Sequence, residues 1–313
     1  MKAIHINWTL PYQEKDRLRG YGNEVFKSFK NKEYFQPDHQ LLVTILSILW
    51  WKKLNGPIKL YTDKIGLEYY KKLGIDKLYN EIDTEALDNY KDVDPAYFWT
   101  SGKVYCLTKE KNPFVFLDQD FIVKSKIDLQ EFSKYDITIP HWEIPRGHYY
   151  FTKQMYLDEI KHCPYPKNYN DSALVANTSF LYVNNLNLIK DYYQYHKTLV
   201  DNKGNFVPEW FWLLTDQGIL GHTIRENNYS VSSISSKLFL CNSNHASPSD
   251  RSKGLSEPWY EFTSDKYPDK IAWEHLWYLK AVFTYNNDLK NQYVNKYKSE
   301  ILTHFPKYSY LIP

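Results

Sequence analysis

Cysteine is scarce in this chain. Its 313 residues include three, Cys106, Cys163 and Cys241, an odd number set far apart and without metal-ligand spacing, so neither a disulfide framework nor a cysteine-built zinc site is expected. A reducing compartment fits that usage. Charge of one sign is also missing: 39 Lys and Arg oppose 37 Asp and Glu, for a formal net charge of +2. Such a balance provides no broad field to gather nucleic acid or an anionic membrane, so nucleic acid is not an expected partner. Any anion must be held by a local site. Long hydrophobic runs are absent as well. The most apolar stretch, Leu41 to Trp51, runs into Lys52-Lys53 and is about half of the ~20 residues that a bilayer span requires, which reads as a buried helix. The opening residues Met1-Lys2-Ala3-Ile4-His5-Ile6-Asn7-Trp8 alternate as a strand does and lack the apolar region of an export signal. A cytoplasmic location is the expectation.

Aromatic side chains are abundant instead: 29 Tyr, 16 Phe and 10 Trp make up 18% of the chain, against 2 Met. Tyr and Trp suit stacking on sugar rings and nucleobases, and they fill cores equally well. A folded chain of this length buries roughly three quarters of the surface it exposes when unfolded, which sets aside disorder and fibrous architecture.

The first part of the chain alternates strand-like and helix-like segments, the pattern of a mostly parallel sheet covered by helices. Ala3 to Trp8 reads as a first strand, and Asp38 to Lys53 as a helix capped by Asp38 after Pro37. Gly56-Pro57 turns the chain into a second strand, Ile58 to Thr62. Leu67 to Leu73 is a short helix that Gly74 stops, Pro95 to Thr108 another, and Phe114 to Leu117 an apolar strand. The later part is less regular, with strands at Tyr135 to Pro140 and Thr178 to Val183 and a helix near Trp210 to Gly221. Loops at Lys161 to Asp171 and Asn242 to Gly254 have the composition of lids. No linker divides the chain, so residues 1–313 are expected to form one α/β domain with two halves, 1–125 and 126–313.

Phe114-Val115-Phe116-Leu117-Asp118-Gln119-Asp120 carries the chemistry. Four apolar residues suit a central strand covered on both faces, and the sudden acids mark its carboxyl end, where open α/β sheets bind ligands. If extended geometry persists, Asp118 and Asp120 point the same way and Gln119 is opposed. Two convergent carboxylates hold a hard divalent cation, Mn2+ or Mg2+, with positions left for phosphate oxygens. A second Asp-x-Asp, Asp92-Val93-Asp94, stands in a polar segment before Pro95 with no buried strand leading into it, and reads as a turn.

With this motif the chain resembles the GT-A glycosyltransferases, whose Asp-x-Asp follows an apolar strand and binds the metal-chelated diphosphate of a nucleotide sugar. The resemblance extends over most of the chain as an ordered pattern. It includes the first strand Ile4 to Trp8, the helix with Trp99-Thr100-Ser101-Gly102-Lys103, the later segment Asn177 to Asn185, and Thr215-Asp216-Gln217, which looks like the Asp-Gln pair of the retaining family 8 and family 32 types. Trp273-Glu274-His275-Leu276-Trp277-Tyr278-Leu279-Lys280 is similar to a late His and Lys of family 8, although the Gly position is occupied by Tyr278 or a neighbour and the Pro-Trp after the Lys is absent.

The resemblance implies a GT-A-like, Rossmann-like sheet with helices on both faces. Residues 1–125 become the nucleotide-sugar-binding half and 126–313 the acceptor-binding and catalytic half. The donor is expected to be a nucleotide sugar, a UDP-sugar first, and the acceptor a glycan or a lipid-linked carbohydrate. Asp118 and Asp120 would hold the cation, with His275 as a third ligand or else a helix histidine packed among aromatics. Lys103 and Lys280 would meet the diphosphate, and Asp216 and Gln217 the reacting sugar. Retention needs no separate base, because the leaving phosphate can take the acceptor's proton; inversion would need one, with Glu143, Asp171 and Asp216 as candidates. Trp8 or Tyr61 would stack on the nucleobase and Asp63 would bind a ribose hydroxyl, unless these residues are strand-end packing and a helix cap. His141-Trp142-Glu143 and Trp210-Phe211-Trp212 are acceptor-wall or core residues.

Other readings stay open. A sugar-phosphate nucleotidyltransferase needs a Gly-rich basic loop after its first strand, and Asn7-Trp8-Thr9-Leu10-Pro11-Tyr12 contains no glycine. A noncatalytic sugar-binding protein would use the aromatics for stacking. A two-carboxylate glycosidase is disfavoured, since Asp118 and Asp120 are too close in sequence to flank a glycosidic bond. At the C-terminus, Lys290, Lys296, Lys298 and Lys307 stand among Tyr293, Tyr297, Phe305, Tyr308 and Tyr310. That composition suits either packing on the domain or peripheral contact with the inner face of a membrane.

Overall fold

Three apolar runs of the sequence become neighbouring parallel strands in the computed structural model, which describes residues 1–14, 29–30, 33–95, 98–146, 173–201, 214–236, 238–242, 262–263, 271–276, 279–283 and 286–313. In chain order the strands are β1 (Ala3–Asn7), β2 (Phe29–Lys30), β3 (Glu33–Tyr34), β4 (Ile58–Thr62), β5 (Glu81–Asp83), β6 (Phe114–Leu117), β7 (Phe121–Val123) and β8 (Ile137–Ile139). They continue as β9 (Trp142–Arg146), β10 (Val175–Ala176), β11 (Phe180–Val183), β12 (Val231–Ser233), β13 (Leu238–Asn242), β14 (Phe262–Thr263) and β15 (Trp273–His275).

The main sheet has the order β12-β8-β11-β6-β1-β4-β5. Its pairs are parallel except those of β11, which runs antiparallel to both β6 and β8. Every residue of β4, β6 and β11 is buried, as a sheet covered on both faces requires. Alternation divides them: Val115 and Leu117 enter one apolar cluster, Phe114 and Phe116 the other. The mostly parallel α/β architecture read from the sequence is therefore present. Two small sheets adjoin it, β10-β9-β13 and β14-β15-β7.

The helix Asp38–Leu54 is buried continuously from Leu41 to Leu49. Its expected cap shifts by one residue: Pro37 occupies the N-cap position without a side-chain bond, and Asp38 lies in the first turn, where the helix dipole favours an acid. The helix Lys64–Leu73 ends at Gly74, whose φ of 74° is the left-handed cap that glycine adopts without steric cost. The helix expected from Pro95 begins only at Ser101 and ends at Leu107, after a turn closed by Phe98 N–H on Asp94 O. Near Gly221 a π-helical turn, Leu214–Gly218, leads into the helix Ile219–Glu226. Trp210, Phe211 and Trp212 lie outside the described residues, as do the loop from Lys161 to Asp171 and that after Asn242.

Among the described residues no helix is long and apolar enough to cross a membrane. In the C-terminal stretch, the helix Asn287–His304 buries Tyr293 and Tyr297 and ends at the buried Phe305, so these aromatics pack on the domain. Trp50 Nε1 donates to Glu300 across this contact at 2.6 Å. The same helix holds β15 through Glu274. That buried carboxylate accepts from Lys124 at 3.1 Å, Lys296 at 2.8 Å and Tyr297 at 2.9 Å.

Burial raises the Glu274 pKa, but Lys124 and Lys296 outweigh it and hold the group below its ordinary value. A depressed acid stabilises the fold above its unfolded pKa and loses that contribution as pH falls. Glu274→Gln is therefore expected to cost about 1–2 kcal/mol at neutral pH, less than a fully enclosed pair because both lysines reach solvent. The difference from the parent should shrink in melts below roughly pH 4. A deficit that stays constant from pH 7 to pH 3 would contradict this.

Candidate functional site

The candidate site forms where β6 ends. Asp118 donates its N–H to Ser179 O at 2.7 Å, and Phe121 N–H returns to Asp118 O at 2.9 Å. Asp118 to Phe121 is thus a turn, and the two acids converge through it and not through continued extension. Each residue of the turn is tied. Gln119, facing away, donates to Tyr70 OH at 2.8 Å and accepts from Gln36 at 3.2 Å. Asp120 O receives Leu276 N–H at 3.0 Å, and Phe121 O receives the Ser47 hydroxyl at 2.6 Å.

Topology explains the neighbours. Because β11 is antiparallel to β6, with Phe180 opposite Leu117, the residues leading into β11 lie at the end of β6. Because β15 is antiparallel to β7, with His275 opposite Phe121, the end of β15 lies beside the turn. His275 is therefore a strand residue, and the helical alternative for it is corrected. Asp118, Asp120 and His275 each offer a ligand atom, and these atoms lie within 4.8 Å of one another. Two carboxylates and an imidazole at that separation fit one divalent cation.

The charges around them are arranged accordingly. Lys280 Nζ lies 2.7 Å from Asp120 Oδ2, and His275 Nε2 3.6 Å from the same oxygen. Burial opposes ionisation of Asp120, yet Lys280 and His275 hold it well below the usual carboxylate range. Asp118 goes the other way: burial, with Asp120 beside it, pushes its carboxyl up to about 6 against the pull of Lys103. Lys103 lies in the helix Ser101–Leu107. Burial lowers its pKa, but Asp216, Asp118 and Asp120 outweigh burial and raise it.

Asp216 is buried in the π-helical turn. Its Oδ2 accepts from Lys103 at 2.5 Å and from Thr178 at 3.0 Å, and its Oδ1 from Tyr192 at 2.7 Å. Lys103 also donates to Thr178 at 2.8 Å. Gln217 is buried in the same turn. Thr178 and Tyr192 were not singled out by sequence: Thr178 looked like one more strand residue, and Tyr192 falls on the buried side of the helix Leu186–Asp201.

Three expected donor contacts are placed elsewhere. Trp8 is 6% exposed, packed on Tyr90, and so close to Gly102 that a Cβ there would come within 2.4 Å of its ring. Tyr61 is 1% exposed and donates to Glu110 at 2.8 Å. Neither presents a face for a base, so packing is their role. Asp63 caps the helix Lys64–Leu73 through Gly66 N–H at 2.9 Å, and also accepts from Thr9 N–H at 2.6 Å, the Thr9 hydroxyl at 2.8 Å and Leu10 N–H at 3.2 Å. Its oxygens serve the fold, in the helix-cap role offered as the alternative to a ribose contact. Glu143 is buried, accepting from Asn177 at 2.7 Å with His141 Nε2 at 3.1 Å; Asp171 lies outside the described residues.

The raised Asp118 pKa has a thermodynamic sign. Between its unfolded and folded values the native state binds the extra proton, so this group's contribution to stability falls as pH rises from 3.8 to about 6 and stays at its lower level above that. In metal-free protein at pH 7–8, Asp118→Asn is expected to raise the melting temperature, by roughly 2–4 °C for each kcal/mol of repulsion removed, and to change little at pH 4. A lower melting temperature at pH 8 would contradict it.

Comparison with known proteins gives a family but no activity. No curated protein matches the chain. Distant likenesses among solved structures include mouse xyloside xylosyltransferase 1, at 13% identity over 75% of this chain and 85% of that one, with a TM-score of 0.40. A nucleoside-diphosphate-sugar pyrophosphorylase from Vibrio cholerae RC9 is similar at 11% identity over 77% and 93%, TM-score 0.39. The glycosyltransferase GlyE of Streptococcus pneumoniae TIGR4 is similar at 14% over 74% and 44%, TM-score 0.36. Likenesses of that size decide nothing about the site. The model described as "Family of unknown function (DUF6734)" matches residues 1–251, and the chain belongs to that family.

Proposed function

We propose that the chain is a metal-dependent GT-A-like glycosyltransferase that moves a sugar from a nucleotide-sugar donor, a UDP-sugar first, to a glycan or lipid-linked acceptor at the cytoplasmic side. The observation that carries this reading is the meeting of Asp118, Asp120 and His275 with Lys280 at the carboxyl end of β6. Asp118, Asp120 and His275 would hold the cation, and the imidazole beside two carboxylates favours Mn2+ over Mg2+. When bound, it supplies positive charge against the diphosphate that leaves the anomeric carbon. Lys280, 2.7 Å from Asp120, would donate to a phosphate oxygen, and charge aimed at a leaving group is commonly the largest catalytic contribution.

Asp216 supports retention. A carboxylate that already accepts from an ammonium, a threonine and a tyrosine is a poor general base; it suits holding sugar hydroxyls or opposing positive charge at the anomeric carbon. Gln217 beside it would hydrogen-bond the reacting face. The acceptor's proton then goes to the leaving phosphate. With Trp8 and Tyr61 interior, the base-stacking role passes to Tyr12. This half-buried ring lies 6.1 Å from that of Tyr34. Burial raises its hydroxyl pKa, and the charges of Lys280, Asp120 and Asp118 reach it.

The nucleotidyltransferase alternative loses ground on one contact. The amides after the first strand that would wrap a triphosphate, those of Thr9 and Leu10, are donated to Asp63.

A donor panel tests the proposal by metal-dependent release of nucleoside diphosphate. One nucleotide sugar is expected to turn over with Mn2+ and not with EDTA. Asp118→Asn and Asp120→Asn should each lower kcat/KM by about 100-fold or more, and Lys280→Met by about 10-fold. NMR of the product is expected to show the donor's anomeric configuration. Turnover that survives EDTA and both substitutions would remove the metal site from the reaction.

A further inference from the structure

A π-helical turn closes i to i+5, and such turns beside an α-helix are frequent at functional sites. In Leu214–Gly218 two carbonyls are contacted from one helix, Leu186–Asp201: His196 Nδ1 lies 2.7 Å from Thr215 O, and Tyr192 OH donates to Asp216 O at 3.2 Å. The other ring nitrogen of His196, Nε2, lies 2.7 Å from Ser101 Oγ, in the helix that carries Lys103. Ser101 and His196 are both buried, at 0% and 1% exposure.

Chemistry assigns the protons. A carbonyl only accepts, so Nδ1 carries hydrogen. Burial holds the His196 pKa down to about 4, against the opposing influence of the Thr215 carbonyl and Asp216, so the ring is neutral at pH 7 and Nε2 accepts from the Ser101 hydroxyl. One imidazole thus links the residue before Asp216 to the helix of Lys103, at both ends of the 2.5 Å pair. Without that link the π turn could relax to α-helical bonding, which would rotate Asp216 away from Lys103 and Thr178.

We propose that His196, in its Nδ1–H form, is a positioning residue that holds Asp216 against Lys103 and so sets the carboxylate's place at the reacting sugar. The kinetic part of this inference rests on the glycosyl transfer proposed above; the proton assignment does not.

Two measurements test it. Imidazole 15N NMR of the full chain at pH 7 is expected to show His196 with a protonated Nδ1 and a bare Nε2, and Ser101→Ala should shift the Nε2 resonance. An Nε2–H tautomer or an imidazolium overturns the proposal. Asn places its amide near Nδ1 and keeps the bond to Thr215 O, whereas Gln reaches only toward Ser101. In variants with melting temperatures matching each other, His196→Gln is expected to lower kcat by about 10- to 100-fold. Donor KM should stay within about twofold and His196→Asn should recover most of kcat, as expected when only transition-state placement is lost. Equal losses in both variants, or a loss confined to KM, overturn it. A chain that shows the Nδ1–H signal but transfers no sugar keeps the brace and refutes only the functional reading.

Discussion

Two carboxylates at the end of one strand, Asp120 buried and Asp118 half-buried, repel each other, and the architecture around β6 is organised by the need to offset that repulsion. Asp120 is settled by Lys280 and His275, and Asp118 is left half-compensated by Lys103. The compensating groups come from distant parts of the chain. His275 arrives on β15 because that strand pairs with β7 directly after the turn. Lys280 follows it in the helix Leu279–Val282. Thr178 arrives because β11 is the antiparallel strand of an otherwise parallel sheet. The net field that composition denied to the chain is replaced by a local one.

Much of the frame was legible. β4 and β6 fall where apolar runs between turn residues placed them, and the Gly74 cap has the expected conformation. Asp118 and Asp120 were legible because the acids follow a buried run abruptly, a contrast that Asp92 and Asp94 lack. The errors share a cause: contacts between residues remote in sequence. Whether Trp8 stacks on a ligand or on Gly102 depends on a helix that arrives almost a hundred residues later. Asp63 reads as a ribose ligand or a helix cap, and only the fold shows the cap, with Thr9 and Leu10 sharing its oxygens. His275 sits in an aromatic-rich run equally compatible with helix, and β-pairing decided it. The π turn at Asp216 has no periodic signature, because His196 and Tyr192 stabilise it from another helix.

The aromatic excess takes on a structural meaning. Among the described residues Trp51, Trp273, Tyr61, Tyr70 and Tyr192 are fully buried, so there the aromatics serve the core. Tyrosine differs from phenylalanine there because its hydroxyl can satisfy polar groups. Tyr192 serves Asp216, Tyr70 serves Gln119, Tyr34 serves Asn7, and Tyr79 meets His5 at 3.0 Å. A core built this way packs densely while supporting a charged site from behind, where methionine or leucine would leave buried donors and acceptors unmet.

Crystals grown with Mn2+ and a nucleoside diphosphate, measured for anomalous scattering, test the central arrangement most directly. One Mn2+ coordinated by Asp118, Asp120 and a nitrogen of His275, with Lys280 turned to a phosphate oxygen, is the result this arrangement predicts. Diphosphate bound with no cation between the carboxylates, or Mn2+ bound away from them, would contradict it.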